Sequence, residues 1–192
     1  MKSRMWCAAL AAAMVLPAGA AGARGCDGVT FPDRVTVRGQ SLSLNGLGIR
    51  KATWFRVKVY VGALYLEHPS ADASAILSAQ QSNEIVLHFL WSASASQLRS
   101  AWNDGFASSA AWELPQLRTR IARFLRWMTG VKAGQVMTFV HVPGKGVEYL
   151  LDGVSQGTIP GDDFATAFLG IWLGARPPGR ELKAGLLGGR CQ

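Results

Sequence analysis

Arg50 and Tyr60 are the side chains in this sequence best suited to hold an anion. A guanidinium stays charged and presents a fork of donors that matches a carboxylate. A phenol can donate a further hydrogen bond to the same anion. Arg50 follows the glycine-rich Asn45-Gly-Leu-Gly-Ile49, and Tyr60 sits in the β-branched run Val57-Lys-Val-Tyr-Val61. From the residues alone the pair is equally a surface arginine and a tyrosine packed on a sheet, because an arginine beside a glycine turn is common.

Other candidate chemistry is weaker. Gly153-Val-Ser-Gln-Gly157 matches the Gly-x-Ser-x-Gly of a nucleophile elbow. That motif needs a strand-to-helix turn and a later histidine, whereas here it runs from a turn into Thr158-Ile159 and no histidine follows Ser155. His68, His88 and His141 stand apart with no ligand spacing, so they read as sheet or core histidines and no metal or other cofactor is expected. Gly46-Leu47-Gly48 lacks the third glycine and the following helix of a phosphate-binding loop. Asn103 and Asp104, on a predicted helix, read as facing water rather than a cleft.

The elements that must position Arg50 and Tyr60 follow from periodicity. Strands are predicted at 29–31, 34–38 and 41–44, with a Gly39-Gln40 turn and a hairpin signal at Asn45-Gly46. The stretch 45–67 then reads as two strands with a bend near Ala52 to Trp54. In its second strand Phe55, Val57, Val59 and Val61 form an apolar face, and Arg56, Lys58 and Tyr60 the polar one. A bulge at the bend would alter which side chains share a face. A short helix covers 73–79 and a strand 84–91.

Next come two amphipathic helices. Leu98, Ala101, Trp102, Gly105 and Phe106 mark the first, capped by Ser94 or Ser96. Leu117, Ile121, Phe124, Leu125 and Met128 mark the second, with Arg118, Arg120, Arg123 and Arg126 on its solvated side. Strands resume at 135–142, 147–151 and 154–159, joined by turns at Pro143–Gly146 and Asp152-Gly153. Asp162 is expected to cap a sandwiched apolar helix to Leu173, and a last helix covers 180–187. Strands, a helical block, strands, then helices favour an α+β fold, a large antiparallel sheet with helices layered on one face.

The chain has 192 residues and a formal charge of +8. Lys2 and Arg4, the apolar run Trp6–Leu16, Pro17 and two Ala-Gly-Ala ends form a secretory signal peptide, residues 1–23, cut after Ala23. Residues 24–192 then form one domain with charge +6. The apolar run is shorter than the ~20 residues of a spanning helix. Contact with an anionic surface is open to the chain, integral insertion is not, and nothing marks it for nucleic acid. Export implies a periplasmic, oxidising location, where Cys26 and Cys191 can pair if the fold brings the two ends within reach.

The sequence resembles the chalcone isomerase-like family, in its bacterial secreted branch. The resemblance rests on Leu44-Asn-Gly-Leu-Gly-Ile-Arg50, Lys58-Val-Tyr-Val-Gly-Ala-Leu-Tyr-Leu66, Val86-Leu-His-Phe-Leu90 and Trp102-Asn-Asp-Gly-Phe106. It extends through Gly157-Thr-Ile-Pro-Gly161, Phe168-Leu-Gly-Ile-Trp-Leu-Gly174 and Leu182-Lys-Ala-Gly-Leu-Leu-Gly188. It implies an open-faced β-sandwich with a cleft between sheet and helices. Some family members cyclise chalcones; others bind fatty acids, with an arginine and a tyrosine taking the carboxylate. Arg50 matches the family arginine by context. Tyr60 falls where the binders have tyrosine and the plant enzymes threonine. The enzymes' helix tyrosine and asparagine have no match; Leu98 and Asn103 lie near, at the wrong spacing. The resemblance thus implies a binder of a fatty acid-like, amphipathic anion. The alternatives are a chalcone isomerase-type intramolecular lyase and an envelope protein-interaction module with a vestigial cleft.

Overall fold

The computed structural model describes residues 22–52, 57–109 and 115–192. All but the last two residues of the predicted signal segment lie outside the described residues, as do Phe55 and Arg56. The elements in chain order are β1 (Ala23–Cys26), β2 (Val29–Pro32), β3 (Arg34–Val37), β4 (Gln40–Ala52), β5 (Val57–Leu66), α1 (Ala73–Ser78), β6 (Asn83–Phe89) and β7 (Ala93–Ser94). They continue with α2 (Ala95–Ser108), α3 (Pro115–Arg126), β8 (Gly130–Val131), β9 (Val136–Val142), β10 (Gly146–Leu151), β11 (Val154–Ile159), α4 (Asp162–Leu173) and α5 (Arg180–Leu186).

Seven strands form one antiparallel sheet in the order β11-β10-β9-β6-β5-β4-β3. Two-residue turns with positive φ close β1–β2 at Asp27-Gly28, β3–β4 at Arg38-Gly39 and β10–β11 at Asp152-Gly153. Such turns match the right-handed twist of paired strands. The helices cover one face over a core centred on Trp102, which packs edge-on against Phe124, Phe139 and Trp172 and stacks on Phe168 at 5.5 Å. As its apolar stripes require, α4 is buried on most sides, from Phe164 to Leu173.

The other face is apolar too, which alternation in β5 as a half-polar strand did not foresee. Leu64 and Leu66 enter the helix-side core, while Val61, Ala63 and Tyr65 join Leu42, Leu44, Cys26 and Phe31 beneath the β1–β2 hairpin. A disulfide from Cys26 to Cys191, with Cα atoms 6.0 Å apart, ties that hairpin to the C-terminal tail.

Two local expectations are corrected. Asn45-Gly46 is not a hairpin turn: β4 runs through it, and the ladder with β5 shifts register between Leu44 and Gly46. This bulge is held by the buried Asn45 side chain, which donates to the carbonyls of Ser70 (3.0 Å) and Leu186 (2.8 Å) and accepts from the Ser70 N–H (2.9 Å). Asp162 does not cap α4; Gly161 stands at that position. The Asp162 carboxylate instead accepts from the Gly144 N–H and from His141 Nε2 at 3.2 Å, which pins the start of α4 to the β9–β10 turn. These bonds hold its pKa below the ordinary carboxylate value.

Glu84 lies on the hairpin side of β6, opposite Tyr65 and Val140, and burial raises its pKa to about 7 from 4.5. The folded chain therefore binds this proton more tightly than the unfolded chain. Its contribution to stability falls as pH rises from about 4.5 through about 7 and is flat above that. Glu84→Gln is expected to match wild type at pH 4 and to exceed it in urea midpoint at pH 8. A variant that gains nothing at pH 8 would remove this assignment.

Candidate functional site

The bulge at Asn45 decides where Arg50 points. Before it, Leu42 and Leu44 face the hairpin; after it, Leu47 and Ile49 do. The extra residue inverts the parity of the strand. Gly46, Gly48 and Arg50 thereby turn to the helix side, where a Cβ on Gly46 would stand 2.1 Å from the Gly185 carbonyl oxygen and one on Gly48 2.6 Å from that of Leu182. The glycines of this stretch are thus landing sites for α5, not turn residues. Arg50 and Tyr60 are direct partners in the β4–β5 ladder. Opposed residues of an antiparallel pair project from the same face. A second register shift, between Arg50 and Lys51, comes only after the pair.

Both side chains line a cavity of about 530 Å³ between the sheet and α2, α4 and the α4–α5 link. That is within the usual range for small-molecule sites, ~300–1,000 Å³. Its walls are mostly apolar: Val57, Val59, Leu87 and Phe89 from the sheet, Leu98, Ala101 and Trp102 from α2, and Ile171 and Trp172 from α4. A capping box fixes the start of α2, with Gln97 N–H donating to Ser94 Oγ and Ser94 N–H to Gln97 Oε1 at 2.8 Å. Ser94, not Ser96, is therefore the cap. Trp91, 62% exposed, stands at the rim with Arg176, Pro177 and Pro178.

Within this apolar space the polar geometry is sparse. Arg50 Nη1 donates to the Lys51 carbonyl. Tyr60 packs its ring on Phe89 at 5.6 Å, and its hydroxyl accepts from Trp172 Nε1 at 3.0 Å. Burial pushes the Tyr60 pKa up to about 12, against smaller lowering effects of Trp172 and Arg50, so the phenol keeps its proton at physiological pH.

The remaining sequence candidates fall elsewhere. Asp104 is exposed but also borders the cavity, while Asn103 is exposed and lies outside its lining. His88 and His141 sit at opposite ends of the β6–β9 ladder; His141 is buried between Asn83 Nδ2 at 3.0 Å and Asp162. Ser155 lies on β11 and donates to Glu148 at 2.8 Å. On α3, Arg120 grips Asp163 with both terminal nitrogens and Arg123 lies over the Trp127 ring at 5.7 Å. The sequence reading passed over Arg176 and took Trp172 only as core. A buried tryptophan needs a partner for its indole N–H, and that signal was available.

A seven-stranded antiparallel sheet under a helical layer, with a mostly apolar cavity between them and an arginine–tyrosine pair on its floor, defines an α+β protein with a sheet–helix cleft. The family description "Chalcone isomerase-like" matches residues 23–188, and the chain belongs to that family. Among solved structures it is similar to an Arabidopsis thaliana fatty-acid binding protein, with a TM-score of 0.70 and 15% identity over 83% of this chain and 92% of that one. At this identity the likeness speaks for the fold. A search of curated protein sequences finds no match.

Proposed function

We propose that the protein is a non-catalytic binder of a fatty acid or similar amphipathic carboxylate, held by Arg50 and Tyr60 with its chain in the apolar cavity. The observation that carries this reading is the ladder pairing of Arg50 with Tyr60 on the cavity face. Two donors face a volume with apolar walls, which suits a ligand with one charged end. Family membership and the fold of the Arabidopsis fatty-acid binding protein support it. The helical wall opposite the pair offers Leu98, Ala101 and Trp102. The polar α2 side chains on the lining, Gln97, Asp104 and Ser108, do not include the tyrosine and asparagine that the family resemblance assigns to the helix of the chalcone-cyclising members, where orientation supplies most of the rate.

In this reading the chain is exported, loses residues 1–23 and works in an oxidising compartment. The charged and apolar N-terminal segment supports export, and the Cys26–Cys191 bridge suits such a compartment. The test is mass spectrometry of lipids extracted from folded protein after purification from an envelope fraction. A carboxylate ligand at near one equivalent is expected, and its absence from Arg50→Ala. A ligand-free wild-type protein, even after incubation with a fatty acid mixture, would sink the proposal. The intact mass of the same sample reports whether residues 1–23 have been removed.

A further inference from the structure

Trp172 has one polar atom, the indole N–H, and it can only donate. That N–H meets the Tyr60 hydroxyl at 3.0 Å, so the direction of the hydrogen bond is fixed: Tyr60 accepts. The indole has little freedom to turn away. It is 2% exposed and held edge-on by Trp102 at 5.7 Å and Phe168 at 5.2 Å. A phenol that accepts on one side keeps one proton to give, and accepting strengthens that donor. Among the described residues the Tyr60 hydroxyl donates to no protein acceptor.

We propose that Trp172 is a specificity-determining residue that makes the head of the cavity donor-only, so that it takes a deprotonated, acceptor-only head group and discriminates against alcohols and amides of the same chain length. The proposal rests on the carboxylate reading of Arg50 and Tyr60 and extends it from affinity to selection. Arg50 has no acceptor to offer. Tyr60 has one, and Trp172 occupies it. A carboxylate needs only donors and is fully served. An alcohol can accept from the same groups, but neither Arg50 nor Tyr60 then offers an acceptor to its own proton. Leaving a buried donor unpaired costs more than a single hydrogen bond returns. Removing the indole N–H reopens the Tyr60 oxygen as an acceptor and should relax the discrimination.

The test measures displacement of a fluorescent fatty acid by dodecanoate and by 1-dodecanol, in wild type, Trp172→Phe, Tyr60→Phe and the double variant. The acid-over-alcohol affinity ratio is expected to fall about tenfold in Trp172→Phe. In the Tyr60→Phe background the same change should leave the ratio where it was. Near-ultraviolet circular dichroism checks the fold. Trp172→Met, which refills the space with a flexible apolar chain, serves the same test if the phenylalanine variant does not fold. Parallel weakening of acid and alcohol would assign Trp172 to packing alone and overturn the proposal. An unchanged ratio, or an equal fall in the Tyr60→Phe background, would overturn it as well. If wild type binds no dodecanoate, the carboxylate reading fails and this assignment falls with it. If wild type binds and only the ratio fails to move, the carboxylate reading stands and this assignment alone is lost.

Discussion

Arg50→Ala is expected to weaken dodecanoate binding about thirty- to a thousandfold while the protein stays folded. Truncating one partner of a desolvated, hydrogen-bonded charge pair costs ~2–4 kcal/mol, and each ~1.4 kcal/mol is tenfold. The ligand carboxylate would remain among Tyr60, Phe89 and Trp172 with its countercharge gone. Stability should be nearly untouched. Arg50 is half-buried at the end of β4, and the hydrogen bond it makes is to the neighbouring Lys51 carbonyl. Arg50→Lys should recover only part of the loss, because an ammonium keeps the charge but not the planar fork. Tyr60→Phe should cost less, ~1 kcal/mol or about fivefold, the scale of one neutral donor. Titration calorimetry at constant salt separates these outcomes. Full affinity in Arg50→Ala would show that the carboxylate sits away from Arg50.

Gly46→Ala is expected to destabilise the protein strongly, by ~3 kcal/mol or more. The added carbon would lie 2.1 Å from the Gly185 carbonyl oxygen and 2.6 Å from that of Leu186. Both obstacles are backbone of α5 and its end, so no side-chain rotation relieves them. Strand and helix must separate, which exposes Leu182 and Leu186 from the core and disturbs the Asn45–Leu186 hydrogen bond. Overpacking costs ~1–3 kcal/mol where side chains can shift, and backbone contact is less forgiving. In a domain of this size ~3 kcal/mol lowers the Tm by roughly 6–12 °C. Because Asn45 fixes the bulge that turns Arg50 inward, ligand affinity should fall together with stability, unlike in Arg50→Ala. A Gly46→Ala protein with wild-type Tm would refute the close packing of α5 on β4.

Much of the fold was legible in the chain because it is built from local rules. Asp152-Gly153 reads as a two-residue hairpin turn, and it is one, since a glycine there accepts positive φ without cost. The Trp102–Phe106 and Leu117–Phe124 spacings read as helical faces and are buried as such. Alternation located β6, β9 and β10 to within a residue or two. It failed where an element is covered on both sides. In β5 the residues 61–66 are apolar in succession and serve two cores at once, so period two carries no information there about which side faces the helices.

What the sequence determined by itself is the inventory: an arginine and a tyrosine on adjoining extended segments, an antiparallel sheet with helices, and apolar helical faces to cover it. Residue types set these because hydrophobic period and turn chemistry act over a few neighbours. What only the tertiary structure decided is which way Arg50 faces. A single bulged residue inverts the parity of a strand, and this one is stabilised from outside the strand, by Ser70 and Leu186, which are 25 and 141 residues away from Asn45. The same holds for Trp172, 112 residues from Tyr60, whose indole N–H turns a buried aromatic into the partner of the site. Contacts of that range leave no periodic trace along the chain. They exist only once sheet and helices are packed together, and the cavity between those layers is where Arg50, Tyr60 and Trp172 meet.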